Sequence, residues 1–313
     1  MDRQEIHDRL LAGCSIITNA IIEKLDAGEL PPWIRTFKGS SGSPTNMVTG
    51  YAYGGVFNPM LLGVIADTQF GGDARFGGFG QFKKSGNPVR RGEKGFDIFF
   101  PKFRCGTCGI PLFGRKSKCK NGHSVAKASE KTWAGWGISK VFNNQQTVRP
   151  VEMPEYTPVD PEVGYAAAAV MFDNINAKVI HAGGRAFYSP IKDEIQMPEA
   201  GNFATVADYW ATRAHETAHW SGHKDRLNRK GITEFGGFGS ESCAYEELVA
   251  EMAAAFICNH LGVERDGLIE NHAAYIASWK KRLKEDPMVI RKASSEAGKI
   301  LTYLVDMGEG PRG

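Results

Sequence analysis

The sequence contains no long apolar run. No stretch approaches the roughly 18 consecutive apolar residues of a membrane-spanning helix, so the 313-residue chain is expected to have no membrane partner. Cysteine is sparse as well, at six residues. Three of them, Cys105, Cys108 and Cys119, crowd into one short segment, while Cys14, Cys243 and Cys258 are scattered through helical patterns. That excludes a disulfide scaffold, and the scattered ones read as small core residues in a reducing compartment. Met1 to Leu11 is charged and lacks the apolar stretch and cleavage site of a secretory signal, so a cytoplasmic location is expected. Acidic residues are scarce in one region: between residues 83 and 140 there are three, against 14 Lys and Arg. The net charge of +3 hides this asymmetry. Residues 1–150 carry 21 Lys and Arg against 11 Asp and Glu, and residues 151–313 carry 17 against 24. Only the first half is suited to meet a polyanion.

The length suggests two domains, and the patterning predicts an α+β chain. Ile6, Leu10, Cys14, Ile17, Ile21 and Leu25 form a 3.6-period stripe that predicts a helix over residues 2–29. A short core helix is expected over Asn58 to Phe70, and a buried strand over Phe96 to Phe100. Pro150, Pro154, Pro158 and Pro161 lie too close together for any helix to persist. Residues 147–163 are therefore read as a linker between domains 1–146 and 164–313. In the second domain, helices are expected at Gly164–Asn176, 205–221, 242–261, 271–284 and 287–306. Strands are expected at Lys178–His181 and Arg185–Tyr188, around Gly183-Gly184, and at Glu194–Pro198.

The helix over 205–221 carries His215-Glu216-Thr217-Ala218-His219. Residues four apart share a helix face, so the two imidazoles can share one metal ion, usually zinc. Glu216, beside the first ligand, is the residue type that takes a proton from an attacking water in a hydrolytic zinc enzyme. Gly222 stands where a helix-terminating glycine belongs. Two residues are candidates for a third ligand. Asp225 fits the extended spacing His215-x3-His219-x2-Gly222-x2-Asp225, but that arrangement needs a methionine turn, and the nearby Met252 falls inside a predicted helix. Glu247 lies on a strongly helical segment with Glu251 four residues on. In that pattern one carboxylate binds metal and the next orients a histidine through its free N–H. Glu247 is favoured, with Asp225 as the alternative. The expected activity is zinc-dependent peptide hydrolysis, with Tyr245, His223 or Tyr188 as open choices for an oxyanion donor.

Cys105-x2-Cys108-x10-Cys119-x3-His123 is a second metal pattern. Four soft or borderline ligands fill a tetrahedron and leave no open position, so this reads as a structural zinc knuckle. So short a segment cannot form a core, and the metal would supply its local stability.

The same half interleaves cations with aromatics, which suits single-stranded DNA: cations meet phosphates and unstacked bases meet rings. The candidate contacts are Trp33, Tyr51, Tyr53, Phe82, Lys83, Lys84, Arg90, Arg91 and Lys94.

Several motifs in order carry a family resemblance. They include Thr49-Gly50-Tyr51-Ala52-Tyr53-Gly54-Gly55, Gln81-Phe82-Lys83, Val89-Arg90-Arg91-Gly92-Glu93-Lys94-Gly95 and Val141-Phe142-Asn143. Further on come Tyr209-Trp210-Ala211-Thr212, the stretch His215 to His223, Arg226-Leu227-Asn228-Arg229 and Tyr245 to Glu251. The chain resembles ArdC-type antirestriction proteins of conjugative plasmids and other mobile elements. The resemblance implies an N-terminal single-stranded-DNA-binding domain, a C-terminal zincin-like (gluzincin-type) metallopeptidase domain and protection of incoming DNA from host restriction. A component of the restriction system is then one candidate protein substrate. Relative to shorter members, the segment Cys105 to His123 looks like an insertion. Two other classes remain open: a metallopeptidase with no DNA role, and a non-catalytic DNA-binding module of a primase or replication assembly.

Overall fold

A computed structural model describes residues 2–27, 43–112, 118–153, 160–234, 241–263 and 273–309. Trp33 lies outside the described residues. The chain divides into two compact units: residues 1–13, 46–51 and 75–151 form the first, and residues 14–45, 52–74 and 152–313 the second.

Helix α1 (Arg3–Asp26) carries the predicted stripe, and Leu10, Cys14, Ile17, Ile21 and Leu25 are all buried. The division into units falls within this helix. The first unit is built on a sheet of β1 (Thr45–Asn46), β2 (Arg75–Gly78), β3 (Phe96–Cys105), β4 (Pro111–Leu112) and β5 (Lys131–Asn143), in the order β1-β2-β5-β3-β4. A short helix, α3 (Phe79–Lys84), follows β2. β3 and β5 form a long antiparallel ribbon from Phe96↔Val141 to Cys105↔Lys131. Between them the chain detours through the cysteine-rich segment and rejoins the ribbon where it left.

The start of the expected linker is part of this first unit. Val148 N–H donates to the Pro88 carbonyl, Arg149 N–H to Asn87 Oδ1 and Val151 N–H to Asn144 Oδ1. Proline spacing excludes helix, but it does not exclude an extended segment pinned by neighbouring amides.

The second unit holds α2 (Phe57–Gln69), α4 (Pro161–Ile175), α5 (Val206–Trp220), α6 (Lys230–Thr233), α7 (Glu241–Leu261), α8 (Ala273–Glu285) and α9 (Met288–Glu309). Asp160 caps α4 by accepting from Glu162 N–H, with Pro161 at the first helical position. Thr205 caps α5 by accepting from Asp208 N–H. Trp279 is buried and donates its indole N–H to the Ala244 carbonyl, tying α8 to α7.

A three-stranded sheet, β6 (Val179–His181), β7 (Phe187–Ser189) and β8 (Glu194–Met197), completes this unit. Its order is β6-β8-β7, with β8 parallel to β6 and antiparallel to β7. The strands on either side of Gly183-Gly184 therefore do not pair with each other. Ile195 and Met197 are fully buried in β8, the central strand. No helix among the described residues is long and apolar enough to cross a membrane.

Candidate metal centres and nucleic-acid surface

α5 runs through the interior of the second unit, and every residue from Ala211 to Trp220 is buried. His215 and His219 project from one face, with Nε2 atoms 3.0 Å apart and ring planes at 83°. α7 packs against α5 and delivers Glu247, whose carboxylate oxygens lie 3.4 Å from His215 Nε2 and 3.6 Å from His219 Nε2. Ligand atoms of these three residues fall within 4.8 Å of one another. Glu216 is buried between the two histidines in the chain, and its charge favours the protonated form of both.

The far nitrogen of each imidazole has its own carboxylate. His215 Nδ1 lies 3.7 Å from Glu251, and His219 Nδ1 lies 3.4 Å from Glu246. Arg229 holds Glu246 with a 2.5 Å bond from Nη2, while its Nη1 donates to Ser221 Oγ at 2.8 Å. Glu246 did not stand out in the sequence, because it adjoins the more conspicuous Glu247. Its signal was the buried pairing partner in Arg226-Leu227-Asn228-Arg229, which only the fold reveals.

Asp225 does not join the cluster: its side chain is 74% exposed and lies 3.4 Å from His223 Nδ1. The alternative ligand is thereby excluded, and Met252 is buried inside α7 rather than in a turn beneath the histidines. Gly222 also has a different role from the one expected. It does not adopt a left-handed conformation. Instead, a Cβ there would come within 2.7 Å of Ile232 and 2.9 Å of the Arg229 guanidinium. The helix does end there, with Ser221 as its cap, but glycine is needed for the close approach of the Arg229 clamp rather than for a left-handed turn.

The electrostatics fit a cation. Burial alone would lower the His215 pKa, but Glu247 and Glu251 reverse this and hold it at about 9. Burial would likewise lower His219, and Glu247 with Glu246 drives it well upward. Burial would raise the Glu247 carboxyl, yet the two imidazoles bring it far below the usual carboxylate range. Two nitrogens and a carboxylate oxygen that jointly attract positive charge match the donor set of a divalent metal. Among the candidate oxyanion donors, Tyr188 donates its hydroxyl to Asp193 at 2.8 Å, and Tyr245 sits under the Arg282 guanidinium.

The second cluster lies at the end of the β3–β5 ribbon. Cys105, Cys108, Cys119 and His123 bring ligand atoms within 4.8 Å of one another. Cys108 and Cys119 sulfurs are 3.8 Å apart, and Cys119 Sγ is 3.6 Å from His123 Nδ1. A tetrahedral zinc site with Zn–S near 2.3 Å has edges of about 3.8 Å, whereas a disulfide would bring the sulfurs to about 2.0 Å. The Cys108 N–H points at Cys105 and, with Thr107 N–H, outweighs burial to hold its thiol at about 6. The Ile110 N–H favours the Cys108 thiolate, but desolvation and the neighbouring sulfurs push it up. A cation among these sulfurs would favour the thiolate form of each.

The DNA-contact candidates separate by exposure. Tyr51 is exposed at 78%, Tyr53 is half-buried, and Lys83, Lys84, Arg91 and Lys94 are exposed. Arg90 is exposed but committed: it bonds Glu93 through Nε and Nη2 and the Thr147 carbonyl through Nη1. Phe82 is not a surface ring. It is 1% exposed and packs with Val89 and Phe142. Gly77 leaves the room it fills, since a Cβ there would lie 2.8 Å from the Phe82 ring. Alternation with glycine in the sequence did not indicate which phenylalanine faced inward. The ring left exposed is Phe79, at 55%.

A helix with two imidazoles and a glutamate, completed by a carboxylate from a second helix and set beside a small sheet, defines a zincin-like metallopeptidase domain. Residues 166–296 match the family described as zincin-like metallopeptidase, and residues 14–133 match the N-terminal domain of the anti-restriction factor ArdC. The chain belongs to the ArdC-type antirestriction family. The crystal structure of metal-free ArdC from plasmid R388 superposes with a TM-score of 0.68 at 29% identity, covering 95% of this chain and 98% of that one. The same protein is also known with Mn(II) bound, which agrees with a divalent-metal site here. A DNA primase TraC of Escherichia coli is 32% identical over 93% of this chain, but the chain spans only 20% of the primase's length. The y4eC protein of Sinorhizobium fredii is 31% identical, and 90% of its length is covered.

Proposed function

We propose that this protein binds single-stranded DNA through its first unit and hydrolyses peptide bonds at the His215–His219–Glu247 centre, protecting incoming DNA of a mobile element from restriction. The observation that carries the catalytic half is the convergence of these three ligands beside a buried Glu216. Zinc is the proposed ion at this centre and at the Cys105–Cys108–Cys119–His123 knuckle, where its role is structural. When bound at the first centre, the ion supplies Lewis acidity and a water that is nucleophilic near neutral pH.

The chain's own residues do the rest. Glu216 takes the proton of the attacking water and passes it to the leaving amine. Glu251 and Glu246 fix the tautomer and orientation of the two imidazoles from behind. The DNA half is supported by the family match of residues 14–133, by exposed Lys83, Lys84, Arg91 and Lys94, and by exposed Tyr51. A protein of the restriction machinery is the substrate that this reading implies.

The test is Glu216→Gln. Metal content is expected to stay at the wild-type level while proteolysis stops. Proteolysis that persists with metal still bound would sink the assignment. The likeness to a TraC primase favours a second reading, in which the metal centre cuts nothing and the chain serves a replication assembly. A protease assay comparing wild type with Glu216→Ala separates the two: equal, negligible turnover in both supports the second.

A further inference from the structure

The β3–β5 ribbon carries a feature beyond the basic loop. Midway along it Phe100 pairs with Gly137 and Pro101 with Trp136. Further out Phe103 pairs with Trp133. Residues two apart on a strand share a face, so Pro101 and Phe103 lie on one face, and their partners Trp136 and Trp133 lie on it too. On a regular strand, two residues three apart would point to opposite sides. The register shift between Pro101 and Phe103 inserts one extra β5 residue, and Gly135 takes φ +97° there. A bulge of this type re-aims side chains, and only glycine adopts that backbone without strain. Its consequence here is to bring both indoles to the same face. Trp133 is 60% exposed, and Trp136 and Phe103 are half-buried beside it.

The charge around this face is one-sided. Lys131, paired with Cys105, lies on this face and is half-exposed, while Lys102 and Arg104 alternate to the opposite face of the ribbon, where they are exposed. The acids between residues 96 and 143 are Asp97 and Glu130. Asp97 is taken up by Arg9 and Lys140. Glu130 accepts from Ser124 Oγ and Lys127 N–H.

We propose that the face bearing Phe103, Trp133 and Trp136, with Lys131 on the same face, is a base-stacking platform for single-stranded DNA. This rests on the DNA-binding reading above and assigns it a site. An indole so exposed on a stiff ribbon offers a flat surface at little entropic cost. A single strand can lay unstacked bases on it, while Lys131 meets its phosphates. Duplex DNA keeps its bases stacked inside and cannot use the ring in this way.

The experiment uses the full chain and a labelled oligo-dT strand, with binding followed by fluorescence anisotropy at low and raised salt. Trp133→Ala is expected to weaken binding by roughly 5- to 150-fold, with the salt dependence unchanged. Trp133→Phe is expected to retain most of the affinity, which a misfolded variant would not. Lys131→Ala instead reduces the salt slope by about 1. On an abasic strand of equal length, wild type and Trp133→Ala are expected to bind alike. Trp133→Ala binding oligo-dT as tightly as wild type would overturn the platform, as would wild-type binding that does not distinguish oligo-dT from duplex. Wild type that fails to bind oligo-dT at low salt would overturn the DNA-binding reading itself, a result seen before any variant is compared.

Discussion

His219 and Glu246 stand 3.4 Å apart, Nδ1 to carboxylate, on the side of the imidazole away from the ligand cluster. On the proposed reading the contact makes Glu246 an orienting group for a metal ligand, although it does not itself reach the centre. Removing such a partner typically costs roughly 10- to 100-fold in metal affinity. Glu246→Gln is therefore expected to weaken metal binding at this centre by about one to two orders of magnitude, measured by competition with a chromophoric chelator. The cysteine site is expected to be unaffected.

Arg229 and Glu246 form an ion pair in which both side chains are 6% exposed. Arg229→Ala leaves the Glu246 charge buried without its guanidinium and also removes bonds to Ser221 Oγ and the Ala218 carbonyl. Breaking one side of a buried pair costs about 3–5 kcal/mol. Chemical denaturation of the apoprotein is expected to show a loss of that order. A change within experimental error would mean that the clamp contributes little.

The first unit has an acid-sensitive tie at Asp97. Burial would raise its carboxyl, but hydrogen bonds from Arg9 and Lys140 outweigh this and lower it. A depressed folded value stabilises the fold above the unfolded pKa of about 4. That contribution is lost as pH falls through the folded value. Asp97→Asn is expected to lower stability at neutral pH and to flatten the fall in stability below about pH 4. Urea midpoints measured across the acid range check both parts.

Phe82 separates a core role from a surface one. As a buried ring it is expected to cost about 3–5 kcal/mol on truncation to alanine. A ring that only stacked on DNA would leave the thermal midpoint in place and weaken binding. Calorimetry and anisotropy on Phe82→Ala distinguish these outcomes.

The sequence was most informative where the chemistry depends on spacing along one element. His215 and His219 are a helical turn apart, Glu247 and Glu251 repeat that interval, and the cysteine pattern has its own fixed steps. Those intervals survive any tertiary arrangement, so the clusters could be anticipated. What depended on pairing between elements was harder to read. Glu246 and Arg229 meet only because α7 packs against α5 and the connection that follows it. β6 and β7 both pair with β8, a strand later in the chain that takes the centre of the sheet. Thr147 to Val151 read as linker from its prolines, yet its amides are held by Pro88, Asn87 and Asn144. The bulge that aligns Trp133 with Trp136 leaves no trace in the sequence beyond one glycine.

On the proposed reading this one chain carries two independent metal centres, one on α5 and α7 and one at the tip of the β3–β5 ribbon. Metal quantification of wild type, His219→Ala and Cys105→Ser, each folded and dialysed against metal-free buffer, tests it most directly. Wild type is expected to hold a divalent ion at each centre, and each variant to lose its own ion while keeping the other. A wild type with a single bound metal, or a His219→Ala variant that keeps the full complement, would contradict it.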